Sequence, residues 1–420
     1  MKDDQDEESF ASTIDQWVLD LTERGITDFG VLLRSLPGVY PTQVLESISR
    51  LADIKKIPGS ILQTINLTPA SDATELEPAD ESIVAHPLDY EWRFASSSVA
   101  SLFDQALTLT KNGDTILLLG TPSLSKYAAK QSIDRKIVLI EKTPQSSSIQ
   151  QAPALVTVRK DLLKDNLPRI QANVVVADPP WYVEYLRAFL WYSARCCKVG
   201  GYVLMSFPPV GTRPKVHHER KEILSFAGNL GLELVTLSAN VIRYRTPFFE
   251  LNSLRALGIQ NVPYNWRSAD LVLFRHARTV TVPRPKSLRQ DEWLEEEIEG
   301  VRIRVRSHSL SGFSDPRLIS VVPHDILTSV SRRDNRRSLA DVWTSGNRIF
   351  GCKGTNVLLL IMRSLLGAQN PTRYVSDQIR RSLIVDEIEM IECACLQLEK
   401  VIKQERGEQS SYLESTEVAD

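Results

Sequence analysis

Cysteine and histidine are scarce in this chain: five and six among 420 residues. The cysteines stand as Cys196-Cys197, a lone Cys352 and the nearby Cys393 and Cys395, none at zinc-type spacing. An odd number of thiols argues against a disulfide framework and predicts reduced cysteines and a cytoplasmic location. His217-His218 lacks a third ligand at metal spacing, so no metal is expected. No apolar run is long enough to cross a bilayer, and the acidic start MKDDQDEES carries no signal pattern, so no membrane role is expected. An excess of charge is also missing. The net charge of −2 excludes a globally basic nucleic-acid binder. What remains is ordinary for a globular protein: 42% hydrophobic and 24% charged residues, with room for two or three domains.

The chain is organised around Val174-Val175-Val176-Ala177-Asp178-Pro179-Pro180-Trp181-Tyr182. A β-branched apolar run reads as a buried strand of a parallel sheet. The prolines force the chain out of the sheet, so an acid and a flat aromatic stand beyond the strand's carboxyl end. Open α/β sheets bind their ligands on that side. Asp178 and the Pro179 carbonyl are acceptors for an amine's N–H groups, Pro180 adds no competing donor, and Trp181 offers a stacking face.

Other segments set this strand in context. Residues 1-67 read as helix, short helix, turn and helix, with Ile14, Trp17, Val18 and Leu21 on one face and Val44, Leu45, Ile48 and Leu51 on another. That order resembles a winged helix-turn-helix. Residues 68-86 are polar and acidic and read as a linker. Apolar strands at 115–119, 136–140, 155–158, 174–177, 202–207, 232–237 and 269–274 alternate with helical stretches over 87-278. Such repetition predicts a doubly wound, mostly parallel α/β sheet. A polar linker with a helix is expected over 279-300, then a small α/β domain over 301-406 ending in a helix, then a disordered tail over 407-420.

The tetrapeptide Asp178-Pro179-Pro180-Trp181 resembles the signature of amino-group methyltransferases, above all those acting on adenine N6. The acid-tipped strand order resembles class I S-adenosylmethionine-dependent methyltransferases with a Rossmann-like sheet. This resemblance implies S-adenosylmethionine as cofactor and a catalytic loop of Asp178, Pro179, Pro180 and Trp181. It implies cofactor contacts at Gly120, Glu141, Asp161 and Asp178. The glycine-rich turn departs from the family, reading Gly120-Thr121-Pro122-Ser123. A second resemblance is to branched-chain polyamine synthases, which join a winged-helix domain to a Rossmann domain with an Asp-Pro-Pro loop. The expected activity is methyl transfer to an amino group, with adenine N6 in DNA or RNA as the leading target. The alternatives are aminopropyl transfer and an inactive methyltransferase-fold protein that binds nucleic acid or a protein.

Nucleic acid as a partner leads to basic residues. Tyr182, Arg213 and Lys215 are candidate substrate contacts, Arg220 and Lys221 further phosphate contacts, and Arg243-Tyr244-Arg245 interleaves charge with an aromatic. Residues 301–348 hold nine Arg and four Asp, a local charge of +5, including Arg302, Arg304, Arg306, Arg332, Arg333, Arg336 and Arg337. Ile384, Ile388, Ile391, Cys395, Leu398 and Ile402 form a heptad seam, so the 384-402 helix is expected to pack on the body, pair with a protein partner or self-associate.

Overall fold

The computed structural model describes residues 2–67, 84–142, 155–166, 168, 170–286, 292–307 and 312–417, with side chains within 6–411. These form two compact units. The first takes 2–67, 92–246 and 260–286; the second takes 84–91, 247–259, 292–307 and 312–417. The grouping differs from the expected boundaries. The helical N-terminal segment belongs to the same unit as the large sheet, and residues 87–91 and 247–259 belong with the C-terminal unit.

The first unit opens with helices α1 (Lys2–Glu23), α2 (Phe29–Ser35) and α3 (Pro41–Asp53), then a 3₁₀ turn over Gly59–Asn66. Asp28 caps α2 by accepting from Val31 N, and Pro41 starts α3 where a missing N–H costs nothing. Ile14, Val18, Leu32, Leu33, Val44 and Ile48 are almost wholly buried. No strand occurs among residues 2–67, so the described segment is helical without a wing. Polar side chains of α3 are partly spent on contacts with α1. Ser47 donates to Asp15 at 2.5 Å, and Arg50 bonds the same carboxylate at 2.7 Å.

The chain continues through β1 (Arg93–Phe94), α4 (Ser96–Thr108), β2 (Thr115–Leu119), α5 (Pro122–Ala129), β3 (Lys136–Glu141) and β4 (Leu155–Arg159). It then runs through β5 (Ala172–Ala177), α6 (Val183–Cys196), β6 (Cys197–Phe207), α7 (Val216–Asn229), β7 (Leu232–Arg245), α8 (Phe248–Ala256) and β8 (Ser268–His276). The strand order is β1-β7-β8-β6-β5-β2-β3-β4, with α8 lying in the second unit. Strands β2 to β6 pair parallel, while β8 inserts antiparallel between β6 and β7. Alternate residues feed opposite faces: Leu117, Val138 and Val175 join α6 and α7, whereas Leu118, Leu139 and Val176 join α4 and α5. This is the expected Rossmann-like, doubly wound sheet. Its order reverses at β2, which lies between β3 and β5 and opens a crevice at their carboxyl ends.

The second unit holds a five-stranded antiparallel sheet, made from β9 (Trp293–Ile298), β10 (Val301–Arg306), β11 (Ile319–Ser320), β12 (Val342–Thr344) and β13 (Ile349–Gly351). Helices α9 (Thr355–Leu366), α10 (Pro371–Ile379) and α11 (Val385–Glu417) complete it. The expected linker over 279-300 therefore contains a strand. Glu299 and Gly300 both have positive φ, 51° and 82°, and close a two-residue hairpin whose turn matches the twist of its strands. Acidic β9 lies against basic β10, with Glu295 opposite Arg304 and Glu297 opposite Arg302. The expected tail is helical as far as Glu417. Of the expected linker 68-86, residues 68–83 lie outside the described residues.

The heptad seam packs inward. Ile391, Leu398 and Ile402 are at most 5% exposed, in one cluster with Val301, Ile303, Val357 and Ile361. Those seam residues join the core of their own unit, while Ile384 at the start of the seam is 62% exposed. Among the described residues, no helix is long and apolar enough to cross a membrane.

Candidate active site

Register places the predicted acids in one row. Leu119 at the end of β2 pairs with Ile140 of β3 and Ala177 of β5, so Gly120, Glu141 and Asp178 leave the sheet side by side. The Gly120 N–H donates to Ile140 O and the Asp178 N–H to Leu119 O, both at 3.1 Å. Met205 of β6 pairs with Ala177, which sets Ser206 beside Asp178.

The Asp178 carboxyl receives two side-chain hydroxyls on one oxygen. Ser206 Oγ donates from β6, and Tyr244 Oη donates from β7 at 2.6 Å. The residue keeps a partly open surface, but its carboxyl lies deep among protein atoms. Burial pushes its pKa up to about 7, against the two hydroxyls and the Arg267 charge, which pull it down. Burial and the adjacent Asp178 raise the Tyr244 phenol well above its ordinary value, so it stays a donor. Near neutrality this centre takes or gives a proton, which suits a general base.

Trp181, the expected stacking residue, is largely buried. It is 7% exposed and packs with Val99, Leu102 and Phe103 under the sheet. The Arg267 guanidinium carbon stands 4.5 Å from its ring centroid and 4.1 Å from that of Trp92. The Tyr244 ring meets Trp181 edge-on at 5.7 Å. One face of the Trp181 ring is thus covered by the protein's own cation.

The remaining predicted residues divide. Gly120 has φ +64°, and a Cβ there would approach Phe189 Cε1 at 3.2 Å and the Asp178 carbonyl oxygen at 3.4 Å, so glycine permits both the turn and the close approach. Thr121, 1% exposed, has a buried hydroxyl with no hydrogen-bond partner among the described residues, at the start of α5. Glu141 is half-buried, and one carboxylate oxygen accepts from Lys142 N at 2.7 Å. Asp161, expected as a cofactor contact, caps its own turn by accepting from Leu163 N at 2.8 Å. Pro179 is buried and Pro180 half-buried, and the Pro180 carbonyl accepts from Tyr182 N at 2.7 Å.

Arg213 faces inward. It pairs with Glu219 at 2.7 Å through Nε and donates to the Trp181 carbonyl at 2.6 Å, so it anchors the Asp178–Trp181 loop. Its guanidinium also lies over Tyr182 at 5.9 Å. Arg220 likewise pairs with buried Asp270 at 2.6 Å. Lys215 is half-buried at the start of α7. The Arg302 and Arg304 expected on phosphates bond Asp89 at 2.8 and 2.7 Å and share Glu295, and Arg336 bonds Asp334 at 2.6 Å. Among the described residues, no cluster of three His, Cys, Asp or Glu could hold a metal.

The N-terminal helices attach at this same edge. Gly211, in the loop after β6, donates to Pro37 O at 2.9 Å. Asn261 bonds Asp28 at 3.0 Å and Thr64 O at 2.9 Å, and the Tyr40 ring meets Trp266 at 6.1 Å. Trp266 in turn meets Trp92 at 6.1 Å.

Strand order defines the class of fold, a Rossmann-like, doubly wound α/β sheet with its switch point at β2 and β5. No protein-family model and no curated protein matches the sequence. Among solved structures, the branched-chain polyamine synthase of Thermus thermophilus, in complex with N4-aminopropylspermidine and 5′-methylthioadenosine, is 13% identical with a TM-score of 0.50. Its C9 mutein is 15% identical with a TM-score of 0.52, and each comparison covers 68% of this chain and 95% of the other. A TehB-like S-adenosylmethionine-dependent methyltransferase from Corynebacterium glutamicum is 18% identical, covering 43% of this chain and 88% of that one with a TM-score of 0.30. At these identities the likeness is one of fold.

Proposed function

We propose that the first unit transfers a methyl group from S-adenosylmethionine to the nitrogen of an amine acceptor. The observation that carries this reading is Asp178, placed at the sheet's switch point, held by Ser206 and Tyr244, and pushed up to about 7. The residues present suit the donor. Gly120 allows close approach, Thr121 has a buried hydroxyl with no partner among the described residues, and Glu141 ends the strand where an acid takes ribose hydroxyls in such folds.

When bound, the donor supplies a sulfonium whose methyl carbon is open to attack and whose sulfur leaves with the C–S electron pair as a neutral thioether. The chain's residues act on the acceptor. The Asp178 carboxylate and Pro179 carbonyl hold its N–H groups and aim the nitrogen lone pair. As the C–N bond forms, the nitrogen becomes more acidic and its proton passes to Asp178. Ser206 and Tyr244 keep one carboxylate oxygen occupied, which leaves the other for that proton. Arg213, bonded to the Trp181 carbonyl, holds the loop in place.

A second reading, aminopropyl transfer, is favoured by the polyamine-synthase likeness, which covers 95% of that chain. Adenine N6 loses its main support because Trp181 is buried against Arg267. Calorimetry with S-adenosylhomocysteine tests the donor site. Wild type should bind it, and Glu141→Ala should bind it about 1.5–3 kcal/mol more weakly, the value of one charged hydrogen bond. An unchanged affinity in the variant would remove Glu141 from the site.

A further inference from the structure

Arg302, Arg304, Arg336 and Arg348 of the second unit all have carboxylate partners. Arg255, Lys400 and Lys403 of the same unit do not: among the described residues their side chains have no ion pair and no hydrogen bond. All three line one cleft of about 630 Å³, Arg255 from α8 and the lysines from α11. Gln404, Gly407, Glu408 and Ser411 complete its wall from α11. Positions 400, 403, 404, 407 and 411 recur at helical spacing, so they share one face of α11. The one carboxylate in the cleft is already engaged. On one oxygen Glu408 accepts from Arg348 at 2.6 Å and Gln404 at 3.1 Å; on the other it accepts from Asn252 at 3.1 Å. Arg348 is 1% exposed, so its charge stays fixed on Glu408 and the cleft's own cations remain unanswered. Gly407 is the second observation. Glycine inside a helix costs stability relative to alanine. A Cβ at Gly407 would meet nothing within 4 Å, so no neighbour in the chain requires a glycine there. Its effect is to leave the cleft's α11 wall bare.

We infer that the cleft between α8 and α11 binds a small molecule bearing a diphosphate group, held by Arg255 on one side and Lys400 and Lys403 on the other, over Gly407. Cationic side chains with free donors suit phosphoryl oxygens, and Ser411 adds a hydroxyl. One phosphate group carries a charge of about −1.5 to −2 near neutrality and would leave a cation unanswered. A second phosphate supplies the missing charge. The cleft's volume lies within the range of about 300–1,000 Å³ usual for small-molecule sites. No aromatic side chain lines it, so it offers no stacking face for a run of bases. The inference does not depend on the transfer reading, since every residue of the cleft belongs to the second unit.

The test uses the full chain and calorimetry. Inorganic pyrophosphate is titrated into wild type, Arg255→Gln, Lys403→Gln, Lys403→Arg and Gly407→Leu. Wild type should bind one equivalent. Arg255→Gln and Lys403→Gln should each bind at least tenfold more weakly, while Lys403→Arg, which keeps the charge, should stay within about threefold. Gly407→Leu puts a side chain into the cleft and should abolish binding, with a melting temperature equal to or above that of wild type because a helix glycine has been replaced. Inorganic orthophosphate should bind wild type at least tenfold more weakly than pyrophosphate. ADP, titrated beside them, identifies the source: tighter binding than pyrophosphate assigns the cleft to a nucleotide, weaker binding to the free diphosphate, and both support the inference. No pyrophosphate binding to wild type would overturn it, as would binding left unchanged in Arg255→Gln, Lys403→Gln and Gly407→Leu. Orthophosphate bound as tightly as pyrophosphate would overturn the diphosphate assignment. A single-stranded oligonucleotide bound more tightly than pyrophosphate or ADP, and weakened by the same substitutions, would overturn the small-molecule assignment. If Gly407→Leu fails to fold, the exposed-site substitutions at Arg255 and Lys403 still decide the matter.

Discussion

At the scale of the residue, Asp178 concentrates both chemistry and cost. Burial pushes its pKa up to about 7 from the ordinary carboxylate value of 3.8, so between those values the folded chain keeps a proton that the unfolded chain has lost. The stability this proton linkage contributes is complete below the lower value and is lost as pH rises through about 7. Asp178→Asn should therefore gain stability relative to wild type as pH climbs from 4 to 8, measured by urea denaturation at each pH. Parallel curves for the two proteins would show that the carboxyl ionises freely. Tyr244→Phe removes a hydroxyl that favours the ionised form, so it should move the midpoint of any pH–rate profile to higher pH. A midpoint that stays or falls would separate Tyr244 from the base. Asp178 was legible from sequence because an acid after an apolar strand and before two prolines has few other uses. Ser206 and Tyr244 were not, since a serine and a tyrosine in strands distant along the chain gain meaning only once β6 and β7 take their places in the sheet. Arg267 carried no local signal at all, and it changed the meaning of Trp181.

At the scale of the element, the parallel strands were read correctly because each is a short apolar run bounded by turn residues. The strand Trp293–Ile298 was missed because Leu294 is exposed and Glu295, Glu296 and Glu297 follow it without a core face. What holds it is across the hairpin, where Arg302 and Arg304 meet Glu295. The same pairing explains why arginines that look suited to phosphates are engaged within the chain. The helical N-terminal segment depends on a different contact, the approach of the Gly211 loop to Pro37. A Cβ at Gly211 would lie 2.5 Å from the Pro37 carbonyl oxygen, which is backbone and has little freedom to move. Gly211→Ala should cost about 1–3 kcal/mol, the usual range for overpacking, seen as a lower denaturation midpoint. A variant as stable as wild type would show that this contact is loose.

At the scale of the whole molecule, near-neutral net charge conceals strong local charge that is largely matched within each unit. In the second unit, Arg302, Arg304, Arg336 and Arg348 have carboxylate partners. In the first, the helices at 2–66 are fixed to the carboxyl edge of the sheet, where Gly120, Glu141 and Asp178 stand in a row. We assign the transfer chemistry to that row. Its most direct test is transfer of labelled methyl from S-adenosylmethionine to a pool of amine acceptors that includes amino acids, polyamines, nucleic acid and protein, with wild type beside Asp178→Ala. Wild type should label an acceptor, and Asp178→Ala should lower turnover by about 10²–10⁴, the usual worth of a positioned base, while S-adenosylhomocysteine affinity stays within a few-fold. Equal labelling by both proteins would contradict the role given to Asp178, and the absence of both labelling and donor binding in wild type would contradict the account as a whole.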